Sequence, residues 1–509
     1  MFKLKDYNTK DTIAAIATFP AKSALGVIRI SGKKSLPIAA KIFYSPKKTN
    51  LQKVKAFTLH YGFIVDSGPK RGIFISNRLN GRNGYIIDEV LLSIMRAPNS
   101  YTKEDVIEIS CHGGVLVLDK ILKLILKQGA RLALPGEFTY RAVIYGRIDL
   151  IQAQSIFDIV EARSENGLDL AIRQLGGEAS RGLREIKDKL KEIFGGIQAF
   201  IDFPEEEVVL PAGLKDGLEK IDQKLEYLIS GSFEARAINE GVKCVICGRA
   251  NAGKSTLFNY LLKEERVIVS PVPGTTRDVI EETITIKGVP LRIYDTAGIL
   301  EPKDLVTRKA VAKSASIFAQ ADLVVLMVDG SRPLSGDDYF FLDKIRDKNV
   351  IIVISKIDKK QKINEDTLHK TAGYLHRQIR PGRIYGEDRT SNAIRRQAIG
   401  NSLLYCPIVK VSVLKNTGLN DLEKAVLDFV YKKGVARENL VFLSAYQQEL
   451  LKKAQFSLRQ AIDFINKNHT IDFVNLSIKE SLDNLGKLTG EVYCEELLES
   501  IFSNFCIGK

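Results

Sequence analysis

The run Gly248-Arg249-Ala250-Asn251-Ala252-Gly253-Lys254-Ser255 follows the apolar segment Val242–Cys247 and leads into a helical pattern starting near Thr256. A strand that ends in G-x-x-x-x-G-K-S and passes directly into a helix has little freedom. Its glycines let backbone N–H groups turn inward on a phosphate, and the helix N-terminus adds favourable electrostatics. Lys254 is expected to reach the β- and γ-phosphates and Ser255 to hold magnesium, with Asn251, Ala252, Gly253 and Thr256 in the same cradle. A tight turn without a ligand is the alternative, and the order of strand, loop and helix argues against it.

The segments that follow turn a phosphate site into a guanine-nucleotide site. Gly274-Thr275-Thr276-Arg277-Asp278 supplies a hydroxyl, that of Thr276, to coordinate magnesium and sense a γ-phosphate. The strand Leu291–Tyr294 leads into Asp295-Thr296-Ala297-Gly298, where Asp295 contacts magnesium through water and the Gly298 amide reaches the γ-phosphate. After the apolar run Val350–Ile354 comes Ser355-Lys356-Ile357-Asp358. G proteins usually carry N-K-x-D here, and the Asp358 carboxylate can accept from guanine N1–H and the exocyclic amine; adenine offers the wrong pattern. Ser355 replaces the usual Asn and has fewer hydrogen bonds to give. Ser412-Val413-Leu414 matches the next guanine-loop element, with Val for the usual Ala. Ile299 stands where Ras-like enzymes position water with Gln.

These motifs lie in a stretch, 241–430, where strand-like and helix-like segments alternate, which predicts a mostly parallel sheet covered by helices. Before it, alternating apolar runs and turns to about residue 150 (Thr12–Thr18, Gly26–Ile30, Val106–Ser110), then a helical pattern over Val115–Gln128, predict an α+β domain. Residues 151–240 and 431–509 read as helical, the first interrupted near Asp202-Phe203-Pro204. The expected architecture is multidomain, α/β and α: an N-terminal α+β domain, a helical bundle in two parts, and an inserted Ras-like P-loop GTPase domain.

Composition fits this plan. With 509 residues, 45% hydrophobic and 27% charged, the chain is long enough for about three cores. Met1–Lys10 has no apolar stretch like that of a secretory signal, and runs such as Leu323–Val328 are far short of the roughly 20 residues that cross a bilayer, so the expected location is the cytoplasm. Six scattered cysteines do not form a disulfide framework. Cys244 and Cys247 form C-x-x-C on a strand, where residues three apart face opposite sides and cannot share a metal. The net charge of +14 favours a polyanionic partner but is equally at home on a solvated basic surface.

Taken together, the chain resembles the bacterial tRNA-modifying GTPase family called MnmE or TrmE over essentially its whole length. The resemblance is carried by Asp11-Thr12-Ile13-Ala14-Ala15, Val27-Ile28-Arg29-Ile30-Ser31-Gly32, Ala97-Pro98-Asn99-Ser100-Tyr101-Thr102, Pro135-Gly136-Glu137-Phe138-Thr139, the nucleotide motifs and the ending Ile501-Phe502-Ser503-Asn504-Phe505-Cys506-Ile507-Gly508-Lys509. It implies a homodimer formed by the N-terminal domain, 5-formyl- or 5,10-methylene-tetrahydrofolate bound there, and GTP hydrolysis assisted by K+ as well as Mg2+. By resemblance Asn251 ligates K+ through its side-chain oxygen, with backbone oxygens of Ser270, Val272 and Thr275; the segment Ser270-Pro271-Val272-Pro273-Gly274-Thr275-Thr276 then lines the nucleotide. Arg29, Glu108, Arg147 and Lys509 form the implied folate pocket, with Arg147 where the family usually has Lys. Cys506 joins Lys254 and Thr276 as a catalytic candidate. A separate flavin-dependent partner of the MnmG or GidA type and tRNA complete the implied system, which modifies the wobble uridine.

Two departures stand out. The family's water-orienting Glu lies twelve residues beyond the Asp of D-T-A-G, a position occupied here by Thr307, so hydrolysis is expected to be slow unless Glu301 or Asp304 substitutes. The long stretch between Asp358 and Ser412 holds Arg377, Arg380, Arg383, Arg389, Arg395 and Arg396 and reads as a divergent surface loop rather than an RNA contact. The rival class is a regulatory GTP switch that binds RNA or assembles ribosomes without modifying anything.

Overall fold

The computed structural model describes residues 7–47, 49–66, 85–203, 209–264, 281–295, 318–345, 347–363, 368, 405–431, 440–491, 495–502, 505, 508 and 509. The chain divides into two compact units, one of residues 1–160, 172–229 and 443–509, the other of 161–171 and 230–442.

The first unit begins with a seven-stranded sheet. Its strands are β1 (Ile13–Ile16), β2 (Leu25–Ser31), β3 (Phe43–Tyr44), β4 (Thr58–Asp66), β5 (Tyr85–Met95), β6 (Val106–His112) and β7 (Arg131–Leu132), in the spatial order β3-β4-β5-β6-β2-β1-β7. All pairs are antiparallel except β1 with β7. Two helices, α1 (Ser35–Ile42) and α2 (Val115–Lys127), cover one face. Period-two alternation decides which residues they meet: Ile28 and Ile30 of β2 and Ile107 and Ile109 of β6 are buried with Ile38, Leu118 and Ile121 of the helices. Helix α2 comes so close that a Cβ on Gly26 would lie 2.8 Å from Leu118 Cδ2. The alternate positions, Val27, Arg29, Glu108 and Ser110, belong to the opposite face.

Helix α3 (Glu137–Ile144) is anchored by buried charge. Glu137, fully buried, accepts from the Leu134 amide at 2.9 Å, from Arg131 at 2.7 Å and from Arg141 at 3.0 Å. Arg141, also fully buried, donates to Glu104 at 2.9 Å and to the Asp11 and Asn8 carbonyls at 2.7 and 2.9 Å. Ions this deep are tolerated only when paired and hydrogen-bonded, so the Pro135–Thr139 motif is first of all an anchor for the N-terminal segment.

The helical part of this unit comprises α4 (Leu150–Glu161), the C-terminal end of α5 (Glu165–Leu175), α6 (Glu178–Asp202) and α7 (Leu214–Ser230), with three further helices near the C-terminus described below. In α6 the buried Ala179, Leu183, Ile186, Leu190 and Ile197 recur three, four and seven residues apart, one stripe of a 3.6-residue helix. Near the C-terminus, helices 445–466 and 471–489 pack together, and the second of them packs against α6. The last helix, Glu495–Phe502, brings Leu498, Ile501 and Phe502 into a core with Tyr140, Val143 and Leu150.

The second unit holds helix α8 (Ser232–Asn239) and a six-stranded sheet. Its strands are β8 (Val242–Cys247), β9 (Glu281–Ile286), β10 (Val289–Asp295), β11 (Leu323–Asp329), β12 (Val350–Ser355) and β13 (Ile408–Val411), in the order β13-β12-β11-β8-β10-β9. Only the β9–β10 pair is antiparallel. Helices α9 (Lys254–Glu264), α10 (Gly336–Lys344) and α11 (Leu419–Val430) accompany it. Strands β11 and β12 are buried at every position, which explains their uninterrupted apolar sequences. Cys244 packs in the core on one face of β8 and Cys247 in the core on the other, as the spacing required; burial pushes both thiols up to about 12.

Candidate functional site: a guanine-nucleotide cleft and a basic aromatic cluster

The C-terminal ends of the parallel strands set the first site. In the register, Asp329 pairs with Ser355 and Ser355 with Val411, so β11, β12 and β13 end level with one another beside β8. In such sheets ligands bind beyond the carboxyl ends, where the chain switches direction, and the phosphate loop and the Ser355–Asp358 and Ser412 elements follow those ends.

The loop after β8 takes the backbone shape that its glycines permit. Gly248 has φ +138° and a Cβ there would sit 2.2 Å from the Met327 carbonyl oxygen; Gly253 has φ +100°. Asn251, exposed, also has positive φ, +61°, which Asn tolerates better than most residues. Helix α9 begins at Lys254, two residues earlier than the sequence pattern indicates, with Ser255 and Thr256 exposed on its first turn. The Lys254 ammonium folds back on its own loop and donates to the Gly248 and Arg249 carbonyls at 2.6 and 2.9 Å. Arg249 braces the loop from outside, 3.2 Å from Asp338, which also caps α10 through Ser335.

Ser355 is buried, and its hydroxyl lies 2.6 Å from the Ala252 carbonyl and 3.2 Å from that of Val328. The serine therefore ties the guanine strand to the phosphate loop even though it is shorter than Asn. Lys356, at φ +59°, donates to the Asn251 carbonyl at 2.7 Å and to the Asp329 carboxylate at 2.8 Å. Asp329 was not anticipated from sequence; an acid closing an all-apolar strand just before Gly330 was the available signal. Burial pushes its carboxyl up, but hydrogen bonds from Lys356 and Ser331 outweigh that and hold it below its ordinary value. Asp358 accepts from the Ser412 hydroxyl at 2.6 Å, and this bond keeps its carboxyl low and ionised. Thus the two candidate purine-reading residues are already in contact.

The second site lies on the open face of the N-terminal sheet. Arg29 grips Glu108 across paired strands, with Nε and Nη2 each 2.8 Å from the same carboxylate oxygen, and its Nη1 lies 3.3 Å from the Gly508 carbonyl. The guanidinium carbons of Arg29 and Arg147 lie 5.2 and 4.8 Å from the Tyr101 ring centroid. The Tyr101 hydroxyl is 2.8 Å from that of Thr139 on α3, and burial raises its pKa. Arg29, Glu108 and Arg147 are therefore brought together around an aromatic ring, and Gly508 brings its neighbour Lys509 to the same place. Tyr101 appeared in the sequence reading only within a motif; its position under two guanidiniums had no signature there.

The predicted sites at Ser270–Thr276 and Thr296–Gly298, with Thr307, Glu301, Asp304, Cys506 and the basic stretch Arg377–Arg396, lie outside the described residues, as does the side chain of Asp295.

Strand, phosphate loop, helix and the Ser355–Asp358 and Ser412 elements on a parallel sheet define a P-loop GTPase domain. Comparison with known proteins narrows the class. Residues 12–147 match the family described as GTP-binding protein TrmE N-terminus, and residues 150–506 match the MnmE helical domain. The proteins called tRNA modification GTPase MnmE from Thermoanaerobacter pseudethanolicus and Clostridioides difficile are each 39% identical over 502 residues, covering 98% of this chain and 99% of theirs. The Bacillus subtilis protein of that name is 35% identical over 503 residues, covering 98% of this chain and 100% of its own. The solved Aquifex aeolicus Era structure overlaps 42% of this chain and 65% of its own at 25% identity, with a TM-score of 0.26. The chain belongs to the tRNA modification GTPase MnmE family. Among the described residues, no helix is long and apolar enough to cross a membrane.

Proposed function

We propose that this protein is a cytoplasmic, homodimeric GTP hydrolase that works with an MnmG/GidA-type flavoprotein, which carries FAD, to form 5-carboxymethylaminomethyl or aminomethyl uridine at the tRNA wobble position. A tetrahydrofolate derivative, 5-formyl or 5,10-methylene, supplies one carbon. The observation that carries the reading is the Arg29–Glu108–Tyr101–Arg147 cluster. A nucleotide switch has no use for it, whereas a pterin offers paired N–H donors to a carboxylate and a flat ring to an arginine-flanked tyrosine.

Within the nucleotide cleft each residue has a chemical task. Lys254 exchanges its loop carbonyls for the β- and γ-phosphate oxygens, and the loop amides and the start of α9 receive the remaining charge. Asp358 reads guanine, with Ser412 keeping it ionised. The exposed Ser255 hydroxyl suits magnesium and the exposed Asn251 suits potassium, joined in the proposal by Thr276, Ser270, Val272, Thr275 and Asp295. These cations supply positive charge against the phosphate oxygens as the γ-phosphoryl group departs. Thr307 gives water no ionised partner, so hydrolysis is slow.

Dimerisation is supported by the open sheet face itself. Leu59 and Tyr61 on β4, Leu91 on β5 and Leu25 on β2 are all exposed, and strand pairing puts Tyr61 and Leu91 on the face of Ser110 and Glu108. An apolar patch contiguous with the folate cluster is a natural place for a second copy.

Mass spectrometry of wobble uridines from cells lacking the protein tests the function: the modified uridine disappears if the proposal holds, and unchanged modification would support a switch instead. Binding of labelled 5-formyl-tetrahydrofolate to wild type and Arg29→Ala tests the pocket, and full affinity in the variant would refute the role of Arg29.

A further inference from the structure

A hollow of about 260 Å³ is lined by the turn between α3 and α4 and shares Arg147 with the aromatic cluster. Arg147, Asp149, Gln152, Arg184, Thr489 and Gly490 contribute to its wall. Most of the polar groups are already committed. The Gln152 amide donates to the Leu175 carbonyl at 2.9 Å and accepts from the Asp149 amide at 3.0 Å. One Asp149 oxygen caps α4, accepting from the Ile151 and Gln152 amides at 3.1 and 2.9 Å. The cations are not so committed. Arg147 lies over Tyr101 and makes no side-chain hydrogen bond among the described residues. Arg184, half exposed, spends its Nε on the Ser180 carbonyl at 3.1 Å and meets Asp149 only at 3.8 Å. Lys103 adds a third positive charge at the turn, 3.0 Å from the Gly146 carbonyl. Two arginines in the wall, with Lys103 at the adjoining turn, oppose one acid of which one oxygen is occupied by backbone amides, so the hollow favours an anion.

Its size narrows the choice. Complete small-molecule sites span roughly 300–1,000 Å³, so a hollow slightly smaller suits one end of a ligand whose body is bound elsewhere. Arg147 belongs both to this wall and to the ring stack, so the body lies on Tyr101. We propose that the hollow receives the γ-linked glutamate carboxylates of the folate, and that the protein selects polyglutamylated tetrahydrofolate through Arg147 and Arg184. This rests on the folate reading of the Arg29–Glu108 cluster.

The test is calorimetry on the full chain with 5-formyl-tetrahydrofolate carrying one or three glutamates, using wild type, Arg184→Gln and Arg184→Lys. The triglutamate should bind wild type roughly five- to tenfold tighter than the monoglutamate, the value of one half-exposed charge-assisted pair. Arg184→Gln should bring the ratio close to one, and Arg184→Lys should keep part of it. Equal binding of both forms by wild type, or a full ratio in Arg184→Gln, would overturn the inference. So would a loss of tRNA affinity in Arg184→Gln with the glutamate ratio intact, which would assign the hollow to phosphate. If neither form bound wild type at all, the folate reading itself would fall.

Discussion

Replacing Ser355 by Ala removes a single hydroxyl group, and the structure defines what that hydroxyl holds. With carbonyls at 2.6 and 3.2 Å, the hydroxyl can donate to only one at a time, and the shorter contact is to Ala252 in the phosphate loop. Ser355 is 3% exposed and Ala252 0%, so water does not readily replace the lost donor. Leaving a buried acceptor unpaired costs about 1–3 kcal/mol, a factor of roughly 5–150 in an equilibrium constant. The cost divides between the free protein and the complex: a loop that loosens before binding must be ordered during it, so part appears as lower stability and the rest as weaker nucleotide affinity. Calorimetry with a non-hydrolysable GTP analogue and magnesium, paired with the urea midpoint of the nucleotide-free chain, measures both shares. Preference for GTP over ATP should be unchanged, because Asp358 and Ser412 are untouched. If affinity and midpoint both stay at wild-type values, or if purine preference collapses, the link assigned to Ser355 is wrong.

Lys356→Met leaves the Asp329 carboxylate buried without its cation and should destabilise the G domain by about 3 kcal/mol at neutral pH. Wild-type Asp329 is held low, so its contribution is present above the unfolded pKa and is lost as pH falls through the folded one; in the variant only the Ser331 bonds still oppose burial, so the carboxyl rises and the stability lost on acidification shrinks. Thermal denaturation from about pH 2.5 to 8, which spans the carboxylate range, distinguishes the two slopes, and parallel curves would refute the pairing. Ser412→Ala removes the bond that holds Asp358 low, so the acid limb of GDP binding should move to higher pH, and an unmoved limb would separate Ser412 from purine reading.

How much of this was legible depends on how local each cause is. The phosphate loop could be read directly because strand, glycines, lysine and helix are contiguous, and the fully buried β11 and β12 showed as unbroken apolar runs. The opposite-face placement of Cys244 and Cys247 followed from strand geometry alone. The start of α9 was misread by two residues because Lys254 and Ser255 look like loop chemistry while their backbone is already helical. Asp329 and Tyr101 were missed for a different reason: their partners, Lys356 and Arg147, lie 27 and 46 residues away, and only the folded sheet and the α3 turn bring them together. Sequence treated Pro135–Thr139 as a family mark; the structure shows Glu137 and Arg141 in a buried ion network that no periodicity signals.

In the proposed function, residues 248–255 hold the phosphates of GTP while Asp358 selects guanine. Titration calorimetry of the pure full-length chain with magnesium, comparing GTP with ATP, measures it directly. Saturable GTP binding is expected, with ATP at least about 100-fold weaker, since a site built to accept from guanine leaves its carboxylate unpaired against adenine. No uptake of GTP, or equal affinity for the two nucleotides, would contradict it.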